Sequence, residues 1–222
     1  MTAASDPVAG TRLMLQRFTG GERWVHRSLG VLMLGCLASA AVLYVPDLSQ
    51  LVGRRSLVVQ VHLWCGFLLP VPLLLGFLLS PSFRADVRRL NRFRPGDWEW
   101  LRSSDRRSGR IAVGKFNAGQ KLNASFTLGA VLVLLGTGTV MRFAWLWPLE
   151  WRTGATFVHD WLALAVAVVA VGHLYMAARD PVARAGMRTG SVPVDWARRE
   201  HGAWAGADEP GTTPSGGPAP PR

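Results

Sequence analysis

The chain has 222 residues, of which 49% are hydrophobic, and a formal net charge of +11 at pH 7. Its hydrophobic residues come in long uncharged blocks, which excludes the alternating or amphipathic patterning of a soluble globular domain. A net charge of this size can indicate nucleic-acid binding. Here, however, the basic residues flank the apolar blocks, as in membrane proteins, and we expect no nucleic-acid partner.

Four uncharged runs of 18, 24, 20 and 18 residues follow one another along the chain, at positions 28–45, 57–80, 122–141 and 161–178. About 20 mostly apolar residues cross the hydrocarbon of a bilayer as a helix. With their flanking residues, the runs predict transmembrane helices at about 24–45, 57–80, 119–141 and 156–178. The predicted fold class is therefore an all-α integral membrane protein built as a four-helix transmembrane bundle.

The basic residues predict the orientation of this bundle. Of the 25 Lys and Arg residues, 21 lie before the first run, between the second and third, or after the fourth. Short basic segments mark the cytoplasmic face, so we expect a multi-pass protein of the cell membrane with both termini in the cytoplasm. The inner segment should contain a short helix at about 81–91 and a turn at 94–97. Pro70 and Pro72 should kink the second helix.

Histidines lie near the ends of these helices. The predicted topology places His26 and His173 near the inner side and His62 and His159 near the outer side. Residues 159 and 173 are about 21 Å apart along one helix and share roughly one face. Ionisable residues inside a membrane mark functional sites, so the pattern predicts two stacked haems. The axial pairs would be His62 with His159 outside and His26 with His173 inside. The fifth histidine, His201, is predicted to be a surface residue.

The chain has no CxxCH motif, so these haems would be b-type, without thioether links. Small residues near the histidines have two interpretations, either room for a porphyrin or ordinary close packing of helices. The glycines concerned are Gly30, Gly35, Gly66, Gly129, Gly136 and Gly138.

The segment GKFNAGQK, residues 114–121, stands where the inner segment enters the third helix. Asn117 and Gln120 are three residues apart and can share a helix face, where they could donate to the carbonyl oxygens of a quinone. Gly119 would let a flat ligand approach the backbone. The alternative is a helix cap, with Lys115 and Lys121 as basic anchors.

This segment and the end of the fourth helix resemble the cytochrome b (gamma) subunit of membrane-bound formate dehydrogenase. The resemblance runs from about residue 17 to residue 201. Its other carrying residues are His159-Asp160-Trp161 and Gly172-His173-Leu174-Tyr175-Met176-Ala177.

The resemblance implies four helices that hold two b-haems with the same histidine pairing. It also implies menaquinone near the inner haem, in contact with Asn117, Gly119, Gln120 and His173. The partners would be an iron–sulfur beta subunit and a molybdenum or tungsten catalytic alpha subunit. Formate would be oxidised on the alpha subunit, and no residue of this chain is assigned as catalytic.

The expected function is therefore an electron-transfer and quinone-reducing subunit of a formate dehydrogenase complex. Electrons would pass from the iron–sulfur partner through the outer and inner haems to menaquinone near the cytoplasmic face. A cytochrome b subunit of a nickel–iron hydrogenase or of a thiosulfate or polysulfide reductase remains an alternative. So do a stand-alone cytochrome b561-type quinone oxidoreductase, a transporter and a haem-free anchor.

The predicted organisation has three parts. Residues 1–16 form a flexible cytoplasmic N-terminus, and residues 17–201 form the di-haem domain. Residues 202–222, rich in Gly and Pro, are expected to be a disordered tail.

Overall fold

A computed structural model describes residues 13–106 and 108–206. Most of the two predicted flexible ends, residues 1–12 and 207–222, therefore lies outside the described residues. Within the described residues the fold is helical, apart from two short strands and a 3-10 turn at Ala144–Leu146. Its elements are β1 (Met14–Gln16), α1 (Gly20–Tyr44), α2 (Pro46–Val52), α3 (Arg55–Leu68), α4 (Pro70–Leu79), α5 (Pro81–Leu90), α6 (Pro95–Arg102), α7 (Ala118–Arg142), α8 (Leu149–Arg179), α9 (Pro181–Thr189), β2 (Ser191–Pro193), α10 (Val194–Glu200) and α11 (Gly202–Ala205).

Four of the described helical spans are long and apolar enough to cross a membrane, namely α1, α3 continued by α4, α7 and α8. This confirms the predicted all-α membrane architecture. Few residues of these helices are buried by protein, because most of their surface is left to face lipid or the space inside the bundle. Helix α8 has 31 residues, which is about 46 Å and longer than the hydrocarbon is thick.

The second span breaks at Leu69. The N–H of Leu69 donates to the carbonyl of Gly66, in a tighter turn than the α-helix, and α4 begins with Pro70 at its first position. Proline lacks the N–H that the helix ladder requires, so the chain restarts its helix there. The break lies at the first of the two prolines at which the sequence predicted a kink.

The spans pack as two hairpins, with α1 against α3 and α4, and α7 against α8. Close approach in the first hairpin depends on glycine. A Cβ atom at Gly76 would lie 2.5 Å from Val25 Cγ2, and one at Gly35 would lie 2.8 Å from Cys65 Sγ. Small residues let membrane helices approach each other in this way.

We call the end where α1 and α7 begin, and where α4 and α8 end, the basal end; the opposite end is the distal end. Strands β1 and β2 pair antiparallel at the basal end, with Leu15 opposite Val192. The pairing joins the start of the described chain to the segment after α9. Nothing in the sequence pattern predicted it, because each strand is only three residues long.

His201 is buried, with 3% of its surface exposed, so the prediction of a surface residue was wrong. Arg17 lies 2.9 Å from His201 Nε2, and the opposite ring nitrogen lies 2.7 Å from the carbonyl oxygen of Gly114. Because arginine can only donate, Nε2 accepts and Nδ1–H donates to the carbonyl. Trp196 and Trp204 pack beside this ring.

One local prediction at the basal end is corrected and another is extended. The first residues of the predicted disordered tail form α11, whose Trp204 and Ala205 are buried against Val192. The predicted turn at residues 94–97 is present, with the N–H of Asp97 donating to the carbonyl of Arg94 at 2.9 Å, and it continues into α6. Pro95 opens that helix, and Asp97 accepts from the N–H of Arg94 at 2.7 Å.

Acid should weaken this basal packing through His201. Burial, and then the charge of Arg17, lower the pKa of His201 from its usual 6.5 to about 3. The unfolded chain therefore binds the proton first, and the free energy of unfolding should fall as pH drops from 6.5 towards 3. In His201→Gln the apparent Tm, followed by tryptophan fluorescence in detergent, should depend less on pH across this window. An unchanged pH dependence would contradict the assignment.

Candidate functional site

The four membrane histidines form two pairs, each of which joins α8 to the other hairpin. The ring centroids of His26 and His173 are 6.1 Å apart, and those of His62 and His159 are 6.2 Å apart. A metal–imidazole bond is about 2 Å, and each ring centre lies roughly another ångström away, so two imidazoles across one metal are about 6 Å apart. Each pair therefore has the spacing to hold one metal ion.

The donor set favours haem over a bare metal ion. Among the described residues there is no group of three or more His, Cys, Asp or Glu side chains that could hold a metal. An ion between two histidines would need its other ligands from elsewhere, and a porphyrin supplies four nitrogens in a plane. Each histidine pair would then hold one haem iron between its two imidazoles.

The distal pair is oriented by hydrogen bonds to the Nδ1 atom of each ring. His62 Nδ1 lies 3.2 Å from the carbonyl oxygen of Cys36 and 3.0 Å from Ser39 Oγ. Since the carbonyl only accepts, Nδ1 carries the hydrogen. Such a bond fixes the tautomer and leaves Nε2 free for a metal.

The second ring of the distal pair is held in the same way. His159 Nδ1 lies 3.0 Å from Thr137 Oγ1, whose own hydrogen is donated to the carbonyl of Val133 at 2.8 Å. The hydroxyl oxygen therefore accepts from His159. A Cβ atom at Gly138 would lie 3.3 Å from the same ring, so this glycine gives the imidazole its room.

Open space lies beside two of the glycines near the histidines. Gly30 follows His26 by four residues and Gly66 follows His62 by four, so each glycine lies on its histidine's face of the helix. A Cβ atom at either glycine would meet no atom within 4 Å. The same holds for Gly129 and Gly136, whereas Gly35 and Gly138 are in close contact. Close packing is thus realised at Gly35 and Gly138, and room for a porphyrin at the open positions stays a prediction.

The Asn117–Gln120 segment forms a capping box at the start of α7. The side-chain oxygen of Asn117 accepts from the N–H of Gln120 at 2.9 Å, and that of Gln120 accepts from the N–H of Asn117 at 3.0 Å. The cap uses only the amide oxygens, so both NH₂ groups remain available as donors. The space left by Gly119 is filled by the Trp100 ring, which a Cβ atom there would meet at 3.1 Å.

Lys115 and Lys121 are buried in ion pairs, so the interpretation of both as basic anchors was wrong. They are 8% and 5% exposed. Lys115 Nζ lies 2.5 Å from Asp86 Oδ2 of α5, and Lys121 Nζ lies 2.6 Å from Asp97 Oδ2 of α6. Each lysine therefore ties one basal helix to the start of α7.

Sequence reasoning missed the partners of Lys115. Asp86 is buried, and burial raises its pKa to about 6, while the hydrogen-bonded Lys115 ammonium opposes the shift. The sequence offered one indication that Glu22 belongs near the site: it lies four residues before His26, on the same face of the helix. Nothing in the sequence showed that residues 22, 86 and 115 meet.

A family model described as prokaryotic cytochrome b561 matches residues 17–190. The chain is 30% identical over 95 residues to the nitrate-inducible formate dehydrogenase cytochrome b556(Fdn) subunit of Escherichia coli (strain K12). The same identity holds for the corresponding subunits of Escherichia coli O157:H7 and Shigella flexneri. The aligned part is 41% of this chain and 44% of each relative. It therefore spans less than half of the length of these curated relatives.

Loss of one distal histidine should remove one haem. If each histidine pair holds one haem, the haem-to-protein ratio of the purified protein should fall from two to one in His62→Ala, because His159 would have lost its partner. Reduced-minus-oxidised spectra and haem extraction measure the ratio. The control is His201→Gln, a histidine outside both pairs, which should keep both haems. An unchanged ratio in His62→Ala would contradict the pairing.

Filling the space beside His62 should have a similar effect. In Gly66→Leu the new side chain would enter the room proposed for the porphyrin, and the distal haem should be lost or bound substoichiometrically. Gly154→Leu is the matched control, because a Cβ atom at that glycine also meets nothing within 4 Å and the residue lies outside both histidine pairs. Equal haem contents in the two variants would contradict the proposal that the space beside Gly66 holds the porphyrin.

Proposed function

The chain belongs to the prokaryotic cytochrome b561 family, whose members are helical membrane proteins that bind b-type haem, and we propose that it is the membrane cytochrome b subunit of a formate dehydrogenase complex. In this role it passes electrons from an iron–sulfur partner across the membrane to menaquinone. The observation that carries the proposal is the presence of two histidine pairs at different depths, each spaced for one iron.

We assign one b-haem to each pair. His26 and His173 hold the basal haem, and His62 and His159 hold the distal haem. Bis-imidazole haem supplies one-electron transfer between ferric and ferrous iron and leaves no open coordination site for a substrate. The protein contributes the orientation of the axial rings, through Ser39 and Thr137 at the distal pair.

The basal end is proposed to face the cytoplasm. In the sequence, the segments before α1, between α4 and α7, and after α8 carry 21 of the 25 Lys and Arg residues, in agreement with the positive-inside rule. Both ends of the described chain lie at this end as well. The distal haem would then be nearest the outer face, where the iron–sulfur partner would deliver electrons.

Menaquinone is proposed to bind beside the start of α7, near the basal pair. The NH₂ groups of Asn117 and Gln120 would donate to its carbonyl oxygens, with Gly119 and His173 completing the contacts. The Trp100 ring covers Gly119, so a quinone at this position would stack on Trp100 or displace it. Reduction at the cytoplasmic face would take up protons there and contribute to a proton-motive force.

The proposed partners are an iron–sulfur beta subunit and a molybdenum or tungsten alpha subunit that oxidises formate. The support is the partial similarity to the formate dehydrogenase cytochrome subunits together with the GKFNAGQK segment. Purification of the tagged chain from its native membranes tests this. We expect both partners to co-purify, and formate to reduce the haems.

The same purification distinguishes the alternative donors. Reduction of the haems by hydrogen, with a nickel–iron subunit present, would replace formate dehydrogenase by hydrogenase. Co-purification of a thiosulfate or polysulfide reductase would assign the chain to that complex. A lone chain whose haems react directly with quinol would indicate a stand-alone cytochrome b561-type oxidoreductase. A colourless chain would contradict the proposal altogether.

The capping box allows the donor role of Gln120 to be separated from its structural role. Gln120→Glu keeps the oxygen that caps α7 but removes the NH₂ group. We expect it to slow quinone reduction roughly tenfold, the effect of one lost hydrogen bond, while both haems remain. Gln120→Ala, which also loses the cap, should be at least as slow. If Gln120→Glu matches the unaltered protein, the residue is only a cap.

A further inference from the structure

A buried charge cluster joins three basal elements beneath the bundle. Glu22 of α1 and Asp86 of α5 are 6% and 4% exposed. Lys115, from the segment before α7, places its ammonium 2.5 Å from Asp86 Oδ2 and 3.4 Å from Glu22 Oε1. Charges so far from water are costly unless they are paired or neutralised by a proton.

The cluster contains two buried carboxyl groups, those of Glu22 and Asp86, but one buried ammonium group, that of Lys115. Arg89 also pairs with Asp86 at 2.8 Å, but half of its side chain is exposed and screened by solvent. The Arg17 guanidinium lies beside the same region, since it donates to the carbonyl oxygen of Lys115 at 2.9 Å. Glu22 and Asp86 both lie within 3.4 Å of the Lys115 ammonium, so two buried carboxyl groups share one buried ammonium group. Burial raises the pKa of Asp86 to about 6, so this carboxyl group can bind and release a proton near neutral pH.

A cavity connects the cluster to the aqueous side. It has a volume of about 170 Å³ and is lined by Glu22, Lys115, Thr19, Ser82 and Arg89, among others. This is room for several water molecules next to polar groups that can bind them. Water in the cavity can therefore bring protons to Glu22 and Lys115.

Hydroxyl groups extend the hydrogen-bonded path from Glu22. Its Oε2 lies 3.2 Å from Thr19 Oγ1, which lies 3.0 Å from Ser82 Oγ. Ser82 Oγ is in turn 3.0 Å from Ser80 Oγ. A chain of such groups can pass a proton by successive donation and acceptance.

The cluster adjoins the proposed redox site along two chain segments. Glu22 is one helical turn before His26 on the same face of α1. Lys115 is two residues before Asn117, the cap of α7. Both segments therefore continue directly from the cluster to residues proposed to hold the basal haem and the quinone.

We propose that Glu22, Asp86 and Lys115 form a proton relay that takes protons from the cavity and delivers them to the quinone bound beside Asn117 and Gln120. This inference rests on the proposed quinone-reducing function. Reduction of one quinone to quinol takes two electrons from the donor complex and two protons. Each proton leaves the cluster for a quinone oxygen, forming an O–H bond, and is replaced from cavity water. The cluster returns to its starting protonation and is not consumed.

The test compares two buried aspartate–lysine pairs of the same basal layer in the purified complex. Asp86→Asn removes the proton-carrying carboxyl of the relay. Asp97→Asn is the matched control, since Asp97 is also buried against a lysine but lies outside the cluster. The readouts are haem content, the pH profile of quinone reduction, and the infrared C=O band of a protonated carboxyl group during pH titration without turnover.

In Asp86→Asn, both haems should remain and quinone reduction at neutral pH should fall at least roughly tenfold, as expected for loss of a proton-transfer group. The pH profile should lose its inflection near pH 6, and the carboxyl band titrating there should disappear. Asp86→Glu should restore all three properties. Asp97→Asn should keep both the inflection and the band, whatever its effect on the absolute rate.

Two outcomes would overturn the relay and can be told apart. If the unaltered complex reduces quinone, but Asp86→Asn has the same rate, pH profile and infrared band, the relay is contradicted and the proposed function stands. If the unaltered complex reduces no quinone, the proposed function is contradicted as well.

Discussion

Helix α8 presents His159 and His173 on one face at two depths, and the arrangement of the other spanning helices depends on this constraint. Each histidine faces one partner across about 6 Å, His62 from α3 and His26 from α1. The first hairpin must therefore stand opposite α8 without closing onto it. Few residues of the spanning helices are buried by protein, so most of their surface is open to lipid or to the space between the hairpins, where the haems are proposed.

Because few residues of the spanning helices are buried by protein, the bundle depends on contacts between the elements at the basal end. We call these elements the basal layer. Lys115 and Lys121 flank the start of α7 and are paired with Asp86 of α5 and Asp97 of α6. Breaking one partner of a buried pair costs about 3–5 kcal/mol, because it leaves an uncompensated charge. Arg17, stacked between Trp196 and Trp204, extends the same layer to both ends of the described chain.

The basal layer also joins the structural and chemical roles of the molecule. The capping box of Asn117 and Gln120 fixes the start of α7, yet it leaves both amide NH₂ groups as donors. The neighbouring charges are positioned by the same short segment, residues 114–121. Proposed quinone binding and proposed proton delivery are therefore coupled by geometry, since one segment places the groups for both.

The sequence by itself determined the four spans, the break of the second span beside Pro70 and the end of the bundle at which each histidine lies. These depend on local hydrophobicity, on the missing N–H of proline and on helical periodicity, all of which are visible in a short window. It also offered the helix cap at Asn117 as one of two interpretations. That alternative is realised in the structure, and the proposed donor role of the same side chains stays a prediction.

Only the tertiary structure decided the contacts between distant segments. The burial of His201, the pairing of β1 with β2 and the Glu22–Asp86–Lys115 cluster each join residues tens of positions or more apart. No periodicity within one segment encodes such a contact, because its free energy depends on how several basal elements exclude water together. The same reason explains why both lysines, which as isolated residues resembled surface anchors, are buried.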